Sequence, residues 1–486
     1  MRTLVDTRYG KLQGRLEDGI GVWRGVPYAQ PPTGPLRFRP PQPPEAWSGI
    51  RDASDFGPAA KQILRENRIL SPKGHSEDCL YLNIWSPGAD DRRRPVMVWI
   101  HGGFFAMGSG SDPRFDGATF ARSGDTVLVT INYRLGALGF LQLRGIGGPE
   151  YDECGNLGLQ DQVAALRWIR ENIAAFGGDP NRVTIFGQSA GGRSVGALLA
   201  MPSAAGLFQQ AIIHSGGLRT YTTTAGASEI AASMLAKLKV PPEEIGRLRS
   251  LTAESLLEAA PPLRAGRSLE PTVGGPAFPA GPLKAAEAGA ARNINVMIGY
   301  TRNDFTRAFD PRWAEMGEEE LLQDFAGRIG PLWPEISPYY LERERNEPDL
   351  AEKLLPLLIR NEFIAPAVRL AELQIRHGAT VRMFRFDRQN PNTGYAMHGD
   401  ELPYVFNRPN PYDDPALAER MFRAWIAFAR TGDPNAGDGP DWPAYDTERR
   451  SVMVFDAESR VEDDPCREER QQWEQAERRL SAGGHA

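Results

Sequence analysis

Short, uninterrupted apolar runs rich in β-branched residues recur along this chain and alternate with segments of helical periodicity. Residues 96–100 read VMVWI, 127–131 VLVTI and 183–186 VTIF, and 212–214, 295–300 (NVMIGY) and 380–386 (TVRMFRF) continue the series. A strand with no polar alternation has no face fit for water, so it must be covered on both sides. Between the runs, residues 158–173 carry apolar side chains at helical spacing, and residues 193–201 follow a strand as a second helix. Strand, helix and strand joined by short links predict an α/β fold, a largely parallel sheet with helices on both faces.

The 486 residues would allow about three domains by length. The alternation runs through most of the chain, however, and predicts one domain over 1–486. Residues 310–378 are helical in pattern and lack strand signals, which suits a side or cap region. The proline-rich stretch 27–44 cannot be helix interior and reads as an extended surface segment. Residues 458–480 are strongly charged and read as a solvated helix. A net charge of −6 disfavours nucleic acid as a partner, since phosphate binding needs a basic face. Cys79, Cys154 and Cys466 are too few for a disulfide scaffold and fit a reducing compartment as packing or surface thiols. No apolar run approaches the ~18 residues of a membrane span, and the N-terminus MRTLVDTRYGKLQG has no leader pattern. The expectation is a soluble, cytoplasmic protein, monomeric or a small homo-oligomer, with a small-molecule partner and no membrane attachment.

The segment VTIFGQSAGG (183–192) sets a serine between a strand and a helix. Only small neighbours permit so tight a turn, which lifts the Ser189 hydroxyl above the strand end, beside a helix N-terminus that favours developing negative charge. The bland alternative is a glycine-rich turn with a capping serine. Ser189 is the expected nucleophile. Attack on a carbonyl creates an oxyanion, which needs N–H donors held in place. One is the N–H of Ala190. Others come from a loop after an earlier strand, and HGGFFAMGSG (101–110) follows VMVWI. Gly103 and Phe104 are the expected donors. A phosphate-cradling loop is excluded by the absence of the G-x-x-x-x-G-K-[ST] pattern.

These residues resemble the type-B carboxylesterases, which include cholinesterases and bacterial para-nitrobenzyl-type esterases. FGGDPNRVTIFGQSAG (176–191) and SEDCLYLNIWSP (76–87) are similar to the two signatures of that family. RGVPYAQPPTGPLRF, INYRLGALGFL, GNLGLQDQ and WIAFARTGDPN extend the resemblance from about residue 10 to 445. It implies an α/β-hydrolase fold with the site in a gorge at the carboxyl ends of the strands, and a triad in the order Ser, acid, His. GYAMHGDELPYVF gives His398 as the histidine, and GYTRNDFT puts Asp304 at the acid, where the family usually has glutamate, and Phe305 where it has glycine. His398 would take the Ser189 proton and return it to the leaving alcohol while a carboxylate holds its tautomer. Asp310 and Asp387 are the competing acids. His75, His377 and His485 lack such a context, His214 reads as a core residue, and His101 as a brace for the oxyanion loop.

Departures from the family inform the substrate. No cysteine precedes Cys79, so the disulfide that cholinesterases form there is absent. Gln188 stands where they carry an acid, and ILSPKGH precedes SEDC without their tryptophan, so choline esters are not expected. Phe105 and Gln188 are expected to line the substrate pocket, and Phe104 either narrows it or turns its ring away. The reading is a serine carboxylester hydrolase for small to medium uncharged esters, needing no metal or organic cofactor. One triad also serves carbamates, amides, thioesters and acyl transfer. A cholinesterase-like protein without catalysis is the further alternative, disfavoured because serine, acid and histidine are all retained.

Overall fold

The computed structural model describes residues 2–63, 70–216, 221–262, 268–437 and 439–483, so His485 lies outside the described residues. Its centre is an 11-stranded sheet. In chain order the strands are β1 (Arg15–Glu17), β2 (Ile20–Pro27), β3 (Tyr81–Ser86), β4 (Arg94–Ile100), β5 (Val127–Ile131) and β6 (Gly178–Gln188). Then come β7 (Gln210–His214), β8 (Asn295–Thr301), β9 (Val381–Phe386), β10 (Ser451–Phe455) and β11 (Arg460–Asp463). In space they run β1-β2-β3-β5-β4-β6-β7-β8-β9-β10-β11. The central strands β5, β4, β6, β7, β8, β9 and β10 are parallel to one another, and the edges are antiparallel.

All seven residues of β4 are buried, as an apolar run without alternation requires. Alternate side chains serve two cores. Val96, Val98 and Ile100 join Val163, Leu166 and Ile169 of α1 (Leu157–Asn172) and Val195 and Leu198 of α2 (Ala190–Ala200). On the other face Met97 and Trp99 meet a core that includes Met421, Phe422, Trp425 and Phe428 of α7 (Pro415–Thr431), a helix capped by the Asp414 carboxylate. Each such fully buried side chain contributes roughly 1.5–3 kcal/mol.

The strand order decides where a site can form. From β4 the chain steps outward to β5 and then crosses back to place β6 on the opposite side of β4. The connections therefore leave β4 and β6 in opposite directions, opening a crevice at their carboxyl ends. Both sequence motifs sit there: HGGFFAMGSG follows β4, and Ser189 follows β6. Helix α2 begins at Ala190, earlier than the periodicity suggests, because Ser189 itself is the residue before its first turn.

Residues 310–378 hold α3 (Glu318–Ile329), α4 (Trp333–Arg343), α5 (Leu350–Ile359) and α6 (Ala365–Arg376) and, among the described residues, no strand. Between α5 and α6 the helix widens into a π-turn, Arg360–Ile364. Two expectations change. The segment 27–44 is extended apart from one short turn, but Tyr28 and Phe38 are only 2% and 1% exposed, so it is anchored in the core. The charged tail forms β11 and α8 (Arg467–Gly483), whose Trp473 and Ala476 are buried on one face while Glu469 accepts from the Tyr340 hydroxyl. A three-residue stripe in a charged helix is too narrow to register as periodicity, yet it suffices to dock the helix.

Candidate active site

Ser189 occupies a strained turn, with φ 58° and ψ −124°. Its N–H donates to the His214 carbonyl at 3.0 Å, and its carbonyl accepts from the Arg193 N–H at 2.8 Å. The small residues of the motif have a steric cause. A Cβ on Gly191 would lie 2.0 Å from the Ile100 carbonyl oxygen, so α2 packs against the end of β4 only if that residue is glycine. Ala190 opens the helix, and its N–H is among those with no intrahelical acceptor.

The loop after β4 presses directly on this turn. A Cβ on Gly102 would meet the Gln188 carbonyl oxygen at 2.6 Å and the Ser189 Cβ at 3.1 Å. Gly103 has φ +115°, and its carbonyl accepts from Ala106 and Met107 at 3.0 and 2.9 Å, closing a tight turn. His101 braces this loop as expected. Its ring stacks on Tyr133 at 4.5 Å, its Nδ1 lies 2.9 Å from the Gly102 carbonyl, and the Tyr133 hydroxyl donates to the His101 carbonyl at 2.7 Å. Burial pushes the His101 ring down to about 4, so it is neutral at ordinary pH and can donate to that carbonyl.

The two phenylalanines separate. Phe104 and Phe105 both take left-handed conformations, with φ 58° and 57°, so successive side chains leave the turn in different directions. Phe104 is half-buried, and its ring faces Phe309 at 6.5 Å. Phe105 departs from the expectation of a pocket residue. It is 1% exposed, packs edge-on against Phe140 at 5.0 Å and lies under the Arg193 guanidinium at 5.5 Å, while its carbonyl accepts from Gly136. It fastens the loop to the core.

His398 Nδ1 donates to Asp304 Oδ1 at 2.7 Å; the His398 side chain is 28% exposed and that of Asp304 fully buried. Asp304 stands three residues past Thr301, the last residue of β8, and its second oxygen accepts from the Ser215 hydroxyl at 3.0 Å and the Thr301 N–H at 3.1 Å. The competing acids serve other partners. Asp387 is bound by Arg385, and Asp310 by Arg312 and Arg328; against the upward push of burial, those arginines hold the Asp310 carboxyl below its ordinary value. Of the other histidines, His377 binds the Glu287 carbonyl.

Sequence reasoning missed Ser215, the residue after β7, whose hydroxyl reaches Asp304. It also missed the aromatic shell beside the histidine. Phe363, in the π-turn, lies 5.5 Å from the His398 ring, and Phe305 bridges Phe363 and Phe309 at 5.0 and 4.0 Å. His214 is a buried core residue, as read, but with a structured environment. Trp425 donates to its Nε2 at 3.0 Å, which leaves the proton on Nδ1, 3.4 Å from the buried Glu401 carboxylate. Gln188, 7% exposed, lines a cavity of about 510 Å³ together with His398 and Gly399.

This arrangement can support nucleophilic acyl transfer, and relatives point the same way. The family model described as the carboxylesterase family matches residues 1–473. The chain is 40% identical to para-nitrobenzyl esterase of Bacillus subtilis, over 96% of this chain and 98% of that one. It is 37% identical to phenmedipham hydrolase of Pseudarthrobacter oxydans, over 93% and 95% of the two chains. Among solved structures, carboxylesterase EST55 of Geobacillus stearothermophilus superposes with a TM-score of 0.90 at 45% identity, covering 97% of this chain and all of that one. With its signatures, strand order and relatives in agreement, the chain belongs to the carboxylesterase family and has the α/β-hydrolase fold.

Proposed function

We propose that this carboxylic ester hydrolase works through an acyl-Ser189 intermediate, with His398 as general base and acid and Asp304 as the carboxylate that orients it. The observation that carries this reading is the 2.7 Å bond from His398 Nδ1 to a fully buried Asp304 oxygen. It fixes the tautomer that leaves Nε2 able to accept the serine proton. Ser215 and Thr301 occupy the other Asp304 oxygen, so the carboxylate keeps one orientation. Ser189 attacks the ester carbonyl; the oxygen becomes anionic between the N–H groups of Gly103, Phe104 and Ala190. His398 then protonates the leaving alcohol. Water, deprotonated by the same histidine, releases the acid.

The shell of Phe104, Phe309, Phe305 and Phe363 bounds the acyl side, with the helical region 310–378 as the cap that supplies Phe363. Gln188 and the cavity beside it take the alcohol side. The test is pre-steady-state hydrolysis of 4-nitrophenyl acetate with mass spectrometry of the quenched enzyme. The wild type should show a burst and an acetylated peptide containing Ser189. Ser189→Ala should lose both and about 10⁶-fold in turnover while melting at the same temperature; retained turnover would overturn the assignment.

A further inference from the structure

The 510 Å³ cavity borders the proposed reacting centre through His398 and Gln188, and its lining includes neither Ser189 nor the expected oxyanion donors Gly103, Phe104 and Ala190. His398 must hand its proton to the leaving oxygen, so whatever is attached to that oxygen extends from the histidine's side. This cavity is therefore the space for the alcohol part of the substrate. Its apolar wall comes from Phe115, Phe386 and Leu402. The same lining carries three arginines, Arg114, Arg388 and Arg408, and two aspartates, Asp400 and Asp413.

The charges differ in how far they are already satisfied. Asp413 accepts from the Tyr404 hydroxyl at 3.1 Å and from the Asn410 backbone N–H at 2.7 Å. Asp400 accepts from the Met397 N–H at 2.8 Å, and burial pushes its carboxyl up to about 6. Arg114 is held by Asp112, and Arg408 donates to the Pro113 carbonyl at 2.9 Å. Arg388, half-buried two residues past the end of β9, makes no hydrogen bond or ion pair among the described residues. Apolar side chains and a guanidinium without a partner in one cavity suit a flat or short apolar group that ends in an anion, because arginine binds carboxylates through two parallel N–H bonds.

We infer that the enzyme prefers esters whose alcohol part carries a carboxylate, such as acyl esters of hydroxybenzoates or hydroxyalkanoates, with Arg388 as the residue that receives it. This reverses the expectation of an uncharged substrate, which rested on the absence of features that recognise a cation. It depends on the assignment of Ser189, Asp304 and His398, because that assignment defines the alcohol side.

The experiment measures kcat/KM for 4-acetoxybenzoate and for neutral 4-acetoxybenzamide, each divided by its rate of hydroxide-catalysed hydrolysis. A second pair, the 4-nitrophenyl half-ester of glutarate and 4-nitrophenyl valerate, puts the carboxylate on the acyl side instead. The wild type should favour the acetoxybenzoate about tenfold and show no gain with the glutarate half-ester. Arg388→Gln should reduce the ratio to about one, Arg388→Lys should keep part of it, and Arg388→Glu should invert it, with melting curves establishing that each variant is folded. Rising salt should erode the preference. A ratio at or below one in the wild type, a ratio indifferent to Arg388→Gln, or a preference confined to the glutarate pair would each overturn the inference. Failure of the neutral esters to react in the wild type would strike the proposed catalytic assignment instead, so the two failures are distinguishable.

Discussion

The carboxyl ends of β6, β7 and β8 and the aromatic shell over them meet at the same site but are built differently. At the strand ends, position is set by backbone. Ser189 hangs from the His214 carbonyl, Asp304 is clasped by the Thr301 N–H and Ser215, and Gly191 admits no added atom. The shell is set by ring packing among Phe104, Phe305, Phe309 and Phe363, brought from segments far apart in the chain. Directional bonds in short turns tolerate almost nothing, whereas ring contacts give graded responses. Changes at the strand ends should therefore act on rate, and changes in the shell on which acyl group is accepted.

The sharpest test of that contrast is Asp304→Asn, which should lower turnover of 4-nitrophenyl acetate by about 10⁴-fold with little change in KM. A loss below about tenfold would move the orienting role to another carboxylate. Next is the loop brace His101. Its folded ring titrates near 4 and its unfolded ring near 6.5, so below pH 6.5 the unfolded chain takes up the proton first. The stability tied to a neutral His101 is full above pH 6.5 and is lost as the pH falls towards 4, by about 3 kcal/mol. Denaturant midpoints between pH 7 and 4 should show this slope, and His101→Gln should flatten it.

Ser215→Ala removes one bond to a buried carboxylate and should lower turnover about tenfold with KM unchanged, restored in part by Ser215→Thr. An unchanged rate would mean that Thr301 alone suffices. The smallest effect belongs to the shell. Phe309→Ala should raise the ratio of butyrate to acetate hydrolysis about threefold to tenfold while leaving the acetate rate nearly intact. If that variant lost activity as Asp304→Asn does, the two regions would not be separable.

Much of this was legible in the chain. The apolar runs gave all seven parallel strands but β10, whose SVMVF sits in a charged stretch. The small residues around Ser189 are required by contacts that any strand–turn–helix of this kind must make. Asp304 was singled out by the resemblance of GYTRNDFT to the family's acid motif, and its bond to His398 supports the proposed role. Phe105 and the charged tail were not readable. Two adjacent phenylalanines look alike in sequence, and only the left-handed turn sends one towards the site and the other into the core.

The sequence by itself determined the class of sheet and the tight turn at Ser189, because these depend on local rules, the burial of apolar strands and the sterics of small residues, whereas His398 was singled out by the family resemblance of GYAMHGDELPYVF. Tertiary structure alone decided that Ser215 reaches Asp304 across 89 positions of chain, that a π-turn brings Phe363 to His398, and that Arg388 lines the same cavity as His398. Such contacts depend on the strand order and on how far each connecting loop travels, and no local pattern of residues encodes those distances.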